Sequence, residues 1–166
     1  MKTYVLLLSR IFPKSSIMAG KETFFREGLL NAITDNDPFN SMFDFQHYKV
    51  HTIRLNYELW KKRMDEIQAG KAILSVRQWS GVPYRSKQET IIELTAKDGI
   101  GVQKLLSMDE KTGYFVDNDG YVMPIPLEIL AMNDGLEVGT FKDWFKLAKP
   151  TQSNPMVIIH LTKLRY

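Results

Sequence analysis

Asn56 can cap a helix in which Tyr57, Trp60, Met64 and Ile67 recur at i, i+3, i+7 and i+10, and Gly70 can close it. One apolar stripe of this kind belongs in a core, and Lys61, Lys62 and Arg63 point mostly away from it. Strand patterns flank the helix on both sides. Before it runs Lys49-Val50-His51-Thr52-Ile53-Arg54, and after it Lys71 to Trp79, where Ala72, Leu74 and Val76 fall on one face and Ile73, Ser75, Arg77 and Trp79 on the other. A chain with strand, helix and strand at its centre is expected to build a mixed α+β fold.

The rest of the sequence adds short strands and short helices. The N-terminus from Met1, with an apolar run that stops at Arg10, reads as a buried first strand, Ile11 to Lys21 as a loop, and Glu22 to Ile33 as a helix that Asp35-Asn36-Asp37-Pro38 ends. Ser80-Gly81-Val82-Pro83 is a turn, and Glu89 to Leu94, Val102 to Leu106 and Tyr114 to Val116 are further strands. Asn118-Asp119-Gly120 signals a hairpin into Tyr121-Val122-Met123. Pro126 fits the first turn of a short helix to about Met132, stopped by Gly135. Thr140-Phe141-Lys142-Asp143 resembles a capping box opening a helix through Trp144 and Phe145, and Met156 to Leu161 is a strong closing strand. Many short strands with a few helices predict a small β-barrel with helical additions.

Composition removes several classes of chemistry. The 166 residues fit one domain, 1–166, with enough length to bury its core without staples. There is no cysteine, hence no disulfide, thiolate zinc site or cysteine nucleophile, and three histidines (His47, His51, His160) are few for a metal centre. No metal and no cofactor are expected. The apolar run that ends at Arg10 is too short for a signal peptide or membrane span, so the expectation is a cytoplasmic protein without a membrane partner. Phosphate loops, nucleophile elbows and zinc-protease motifs are missing. Charge is uneven: residues 45 to 88 hold nine Lys/Arg against three acids, a balance of +6, which leaves −3 for the remainder. A basic middle of this kind suits a phosphate-facing surface or the docking of an acidic protein partner.

Three segments carry candidate chemistry. In Lys49 to Arg54, alternation puts Thr52 and Arg54 on one side and His51 and Ile53 on the other; Arg54 is a forked donor for phosphate or a carbonyl, and Lys49 can act as a base where burial lowers its pKa. Arg77-Gln78-Trp79-Ser80-Gly81-Val82-Pro83-Tyr84-Arg85-Ser86-Lys87 interleaves aromatics with cations, as a site for a single-stranded or flipped nucleotide does: bases stack on Trp79 and Tyr84 while Arg77, Arg85 and Lys87 hold phosphates. Asn133-Asp134-Gly135 lies between two helices, where an Asp commonly turns or caps the chain.

Taken in order, Lys49-x-x-Thr52-Ile53-Arg54, a helix, the Gly70-Lys71-Ala72 strand, Asp134-Gly135, Thr140-Phe141-Lys142-Asp143-Trp144-Phe145 and a closing strand resemble the ASCH family of the PUA-like superfamily. The resemblance covers about residues 45 to 166, with residues 1 to 44 as an added strand and helix packed on that core. It implies a small β-barrel with flanking helices and a cleft for RNA, a nucleotide or a nucleoside. Some small bacterial members are amidohydrolases that remove the acetyl group from acetylcytidine with a lysine, a threonine and a glutamate. On that pattern Lys49 is the base toward the Thr52 hydroxyl, Arg54 steadies the oxyanion or the cytosine carbonyl, and Asp134, one methylene shorter than the family's glutamate, stands at the proton donor's position. The leading expectation is an RNA- or nucleotide-binding protein with a cleft around Lys49, Thr52, Arg54, Arg77 and Trp79. The alternatives are a deacetylase of modified cytidine and a protein-interaction module.

Overall fold

The computed structural model describes residues 1–35 and 47–166. Its strands are β1 (Lys2–Leu7), β2 (His51–Arg54), β3 (Ala72–Trp79), β4 (Gln88–Leu94), β5 (Gly101–Asp109), β6 (Gly113–Asn118), β7 (Tyr121–Pro124) and β8 (Met156–His160). The α-helices are α1 (Phe25–Thr34), α2 (Tyr57–Gln68), α3 (Leu127–Asn133) and α4 (Val138–Trp144).

The fold is α+β, as expected, but the strands do not close into a ring. They form a three-stranded sheet, β1-β3-β4, in which β1 runs parallel to β3, and a five-stranded antiparallel sheet, β2-β8-β5-β6-β7. Among the described residues no hydrogen-bonded ladder joins the two sheets, so the closed barrel expected from the strand count is corrected to two open sheets. Strand number alone does not fix closure, which needs a matched tilt and stagger around the whole ring.

Helix α2 lies between the sheets, against β3, β5 and β8. Its buried face is Trp60, Met64 and Ile67, the stripe that the spacing predicts. Asn56 adopts φ 65° and its side chain accepts the Leu59 amide, which caps the helix as the sequence indicates. On the outer face Lys61 pairs with Asp65 at 2.6 Å, and Arg63 lies over the Trp60 ring at 4.7 Å and the Tyr4 ring at 5.3 Å. Glu66 accepts from Lys2 at 2.8 Å and from the Tyr4 hydroxyl at 2.7 Å, tying β1 to α2. The first strand is therefore built into the fold as the edge partner of β3, but it is not the buried strand expected: of its six residues only Leu6 is buried.

Three local expectations shift. The first helix starts at Phe25 and not at Glu22, because Phe24 takes φ 56° and Thr23 is buried, with its hydroxyl donating to the Ser9 carbonyl at 2.6 Å. Thr140 is not a cap: α4 begins at Val138, and Thr140 is buried inside it. Pro126 precedes α3 as its N-cap residue. Of the acidic helix-ending segment, Asp35 is the C-cap of α1, and Asn36 to Pro38 lie outside the described residues. The Asp119-Gly120 hairpin forms as read, with φ 50° and 89° at its two central residues and Asn118 paired to Tyr121.

Candidate functional site

Lys49 is among the largest fully buried side chains of the described residues, with 1% of its surface exposed. An unpaired ammonium there would carry a large desolvation cost. Its Nζ donates to the Asp134 carbonyl at 2.6 Å and to Asp134 Oδ1 at 3.0 Å, and lies 4.0 Å from the centroid of the Phe25 ring. Backbone geometry brings these groups together. The Lys49 amide donates to the Gly28 carbonyl in α1 at 3.0 Å, and the Val50 amide to the Asn133 carbonyl at 2.9 Å. Gly135, at φ +79°, ends α3 so closely against this segment that a Cβ would stand 3.3 Å from Lys49 Cβ. A Cβ on Gly28 would meet His47 Cδ2 at 2.7 Å. Two glycines thus let α1 and the α3-α4 turn close on Lys49 from opposite sides.

The network continues through β2. His51 Nδ1 lies 3.5 Å from Asp134 Oδ1, an electrostatic contact rather than a hydrogen bond, while His51 Nε2 is 2.7 Å from the Tyr166 hydroxyl. That hydroxyl accepts from Asn133 Nδ2 at 2.8 Å and keeps a proton to give; with the imidazole proton on Nδ1, facing Asp134, Nε2 is free to accept it. Gln103 holds the Tyr166 backbone on both sides, at 3.0 and 3.1 Å. His160 pairs with His51 across β8 and β2, is fully buried, and neither ring nitrogen has a hydrogen-bond partner among the described residues.

Burial and pairing set the charge states. Burial brings the Lys49 ammonium below its ordinary range, against the pull of Asp134. Burial pushes Asp134 up, but Lys49 and His51 together more than offset it, and the carboxyl is held below the usual carboxylate range, ionised. His51 is lowered by burial and His160 is lowered well below an ordinary histidine by the same cause, so both rings are neutral at pH 7.

Thr52 and Arg54 share a side, as alternation requires: Arg54 Nη1 donates to Thr52 Oγ1 at 2.7 Å. The guanidinium is held at two further points by the protein backbone. It donates to the Ile53 carbonyl and, through Nη2, to the Leu7 carbonyl, both at 2.8 Å, and so ties β2 to the end of β1. Among the described residues no hydrogen bond joins Lys49 to Thr52. The structure brings Lys49 and Asp134 into contact and puts Thr52 beside Arg54.

The second candidate region is the β3-β4 hairpin. Trp79, half-buried at the end of β3, faces Tyr84 with ring centroids 5.3 Å apart and planes at 49°. Tyr84 is 87% exposed and held at φ 64°. The tip is organised by Ser86, whose hydroxyl accepts from the Gly81 amide and donates to the Val82 carbonyl, and by the Ser80 amide donating to the Lys87 carbonyl. Arg85 and Lys87 are exposed, with no ion pair among the described residues. Arg77 differs: its Nε donates to the buried Ser75 hydroxyl at 2.8 Å. The register with β4 shifts between Val76 and Arg77, which leaves Ile91 as the extra residue on β4, while β3 keeps its alternation and Gln78 is buried on the face of Ala72, Leu74 and Val76.

The basic middle is therefore not one surface. Lys49 and Arg54 are turned into the protein, Lys61 and Arg63 are engaged on α2, and Arg85 and Lys87 stand at the hairpin tip. Local spacing gives no sign of Tyr166, Asn133 and Phe25 as members of the Lys49 network, because only cross-strand register and helix packing bring them there. Among the described residues no group of three or more His, Asp or Glu side chains is placed to hold a metal ion, and no helix is long and apolar enough to cross a membrane. No family model, curated protein or solved structure matches the chain.

Proposed function

We propose that the protein binds single-stranded RNA or nucleotides through the β3-β4 hairpin. The observation that carries this reading is the Trp79-Tyr84 pair, with an almost fully exposed ring presented on a hydrogen-bonded tip beside two cations that make no ion pair among the described residues. Bases stack on such rings whatever their sequence, and lysine and arginine take the phosphates. The resemblance to ASCH and PUA-like domains, read from residue order, agrees with a nucleic-acid ligand. Fluorescence anisotropy of a labelled single-stranded RNA at low salt tests the reading. The wild-type chain binds and Trp79→Ala weakens binding by about tenfold or more. No binding at low salt, or unchanged binding by Trp79→Ala, overturns it.

A second reading is the amidohydrolase acting on acetylcytidine at Lys49, Thr52 and Asp134. The Lys49-Asp134 contact favours it, since the order of the family's residues asks for that proximity. The charge states favour the binder: an acid must carry a proton to give one, and Asp134 is held ionised, while Lys49 is directed at Asp134 and not at the Thr52 hydroxyl. Turnover of acetylcytidine that Thr52→Ala abolishes would establish the enzyme.

A further inference from the structure

On the side of β3 away from Trp79, a cavity of about 230 Å³ opens between the first turn of α1 and the start of the β3-β4 ladder. Its floor holds Gln78, which is 7% exposed and whose side-chain amide has no hydrogen-bond partner among the described residues. The amide's polar atoms are not sealed off but open on the cavity, where its donor and acceptor are available to an occupant. Directly across the ladder from Gln78 stands Glu89, and cross-strand partners present their side chains on one face. Gln78 and Glu89 together offer an amide's donor and acceptor next to a carboxylate.

The opposite wall is the start of α1. Phe24 caps the helix without a side-chain hydrogen bond, and the Arg26 and Glu27 amides of the first turn have no acceptor among the described residues. Free first-turn amides and the helix dipole favour an acceptor or anion there. Arg26 adds a guanidinium at the rim, without an ion pair among the described residues. Arg10 bonds the Ser80 carbonyl and faces Glu22 at 4.0 Å, which links the rim to the hairpin and leaves Glu27 and Glu89 as the lining carboxylates outside any ion pair among the described residues. The lining therefore combines an anion-accepting wall with a donor-seeking one.

We propose that this cavity binds a nucleotide whose base carries an exocyclic amine, with the amine on Glu89, a neighbouring ring acceptor on Gln78, and the phosphate toward Arg26 and the α1 amides. Carboxylates accept from base amines, and the paired donor and acceptor of a glutamine amide fit a base edge. The assignment rests on the nucleotide-binding reading of the hairpin and adds to it a site on the hairpin's other face, with a chemical preference.

Calorimetric titration of the full chain with AMP against IMP and CMP against UMP tests it, because each pair exchanges one amine for one oxo group. The amine-bearing member of at least one pair is expected to bind about tenfold tighter or more. Glu89→Gln, whose amide can donate to an oxo group, abolishes or reverses that preference, and Arg26→Ala weakens the monophosphates without weakening the corresponding nucleosides. Equal affinity within both pairs, a preference that survives Glu89→Gln, or no binding of any of the four overturns the proposal. If these fail while Trp79→Ala still weakens RNA binding, the hairpin reading stands and the cavity is excluded. If the preference is found while RNA binding is insensitive to Trp79, the cavity stands and the hairpin reading falls.

Discussion

Lys49 and Arg85 both belong to the basic middle of the chain, yet the fold uses them in opposite ways. Lys49 is enclosed by α1, β2 and the α3-α4 turn, and its ammonium is taken up by Asp134 and the Phe25 ring. Arg85 sits on a tip whose backbone is fixed by Ser86 while its own side chain stays in water. A charge that the interior surrounds becomes part of the structure, and its removal is felt in folding. A charge that the surface leaves open is available to a ligand, and its removal is felt in binding. The same residue type supports either role; enclosure decides.

The largest effect expected from this contrast is on stability. Asp134→Ala leaves the Lys49 ammonium buried without its partner and should destabilise by about 3–5 kcal/mol. Replacing both partners with apolar residues, Lys49→Met with Asp134→Leu, should recover much of that loss, since the uncompensated charge is gone. Denaturant midpoints measure both. If Asp134→Ala cost no more than an ordinary surface substitution, the ion pair would not be an enclosed element of the fold.

The two histidines of the same network give the next effect. Both have folded pKa values below the ordinary histidine value, so their contribution to stability is present above pH about 6.5 and is lost as pH falls toward the folded values. Each proton that the unfolded chain takes up and the folded one refuses lowers stability by about 1.4 kcal/mol per pH unit. His160, the more strongly shifted ring and one without a hydrogen-bond partner among the described residues, should dominate. Thermal melts between pH 7.5 and 5 should show His160→Phe losing stability less steeply with acid than the wild-type chain. An unchanged slope would mean that His160 is protonated in the fold.

How far these roles are readable in the sequence depends on the distance over which they are set. The α2 stripe, the Asp119-Gly120 turn and the shared side of Thr52 and Arg54 arise from spacing within a few residues, and all three stand in the structure. The enclosure of Lys49 is set over 85 residues by Asp134 and by glycines in two other elements, which no local pattern carries. The register shift in the β3-β4 ladder is set at a distance in the same way: β3 keeps its alternation through Gln78, and only the pairing shows that Ile91 of β4 is the extra residue. Thr140 illustrates the opposite error, a local cap pattern overruled because α4 had already begun at Val138.

The hairpin side of the comparison should show the reverse balance. Tyr84→Ala removes an exposed ring that packs at a tilt against Trp79, and should change folding stability by no more than about 0.5 kcal/mol. RNA affinity should nevertheless fall several-fold to tenfold, because one stacking surface is lost. The backbone here makes a second variant informative: Tyr84 sits at φ 64°, so Tyr84→Gly alongside Tyr84→Ala separates loss of the ring from backbone strain. Wild-type affinity in both variants would remove the aromatic pair from the interface and break the proposed division of labour.

The smallest effect, and the sharpest in what it separates, lies in salt dependence. Arg85 and Lys87 are exposed and carry no ion pair among the described residues, so each phosphate they neutralise releases counterions from a single strand. Arg85→Ala with Lys87→Ala should lower affinity modestly at low salt and flatten the slope of log affinity against log salt by about 0.7 per lost contact. Arg77→Ala should change that slope less than Arg85→Ala, because the Arg77 guanidinium is engaged with Ser75 inside the sheet. Equal flattening by Arg77→Ala and Arg85→Ala would show that Arg77 leaves Ser75 to meet the phosphate, and would move the boundary between enclosed and available cations inward along β3. The slopes therefore test, residue by residue, which charges of the basic middle the fold has kept for itself.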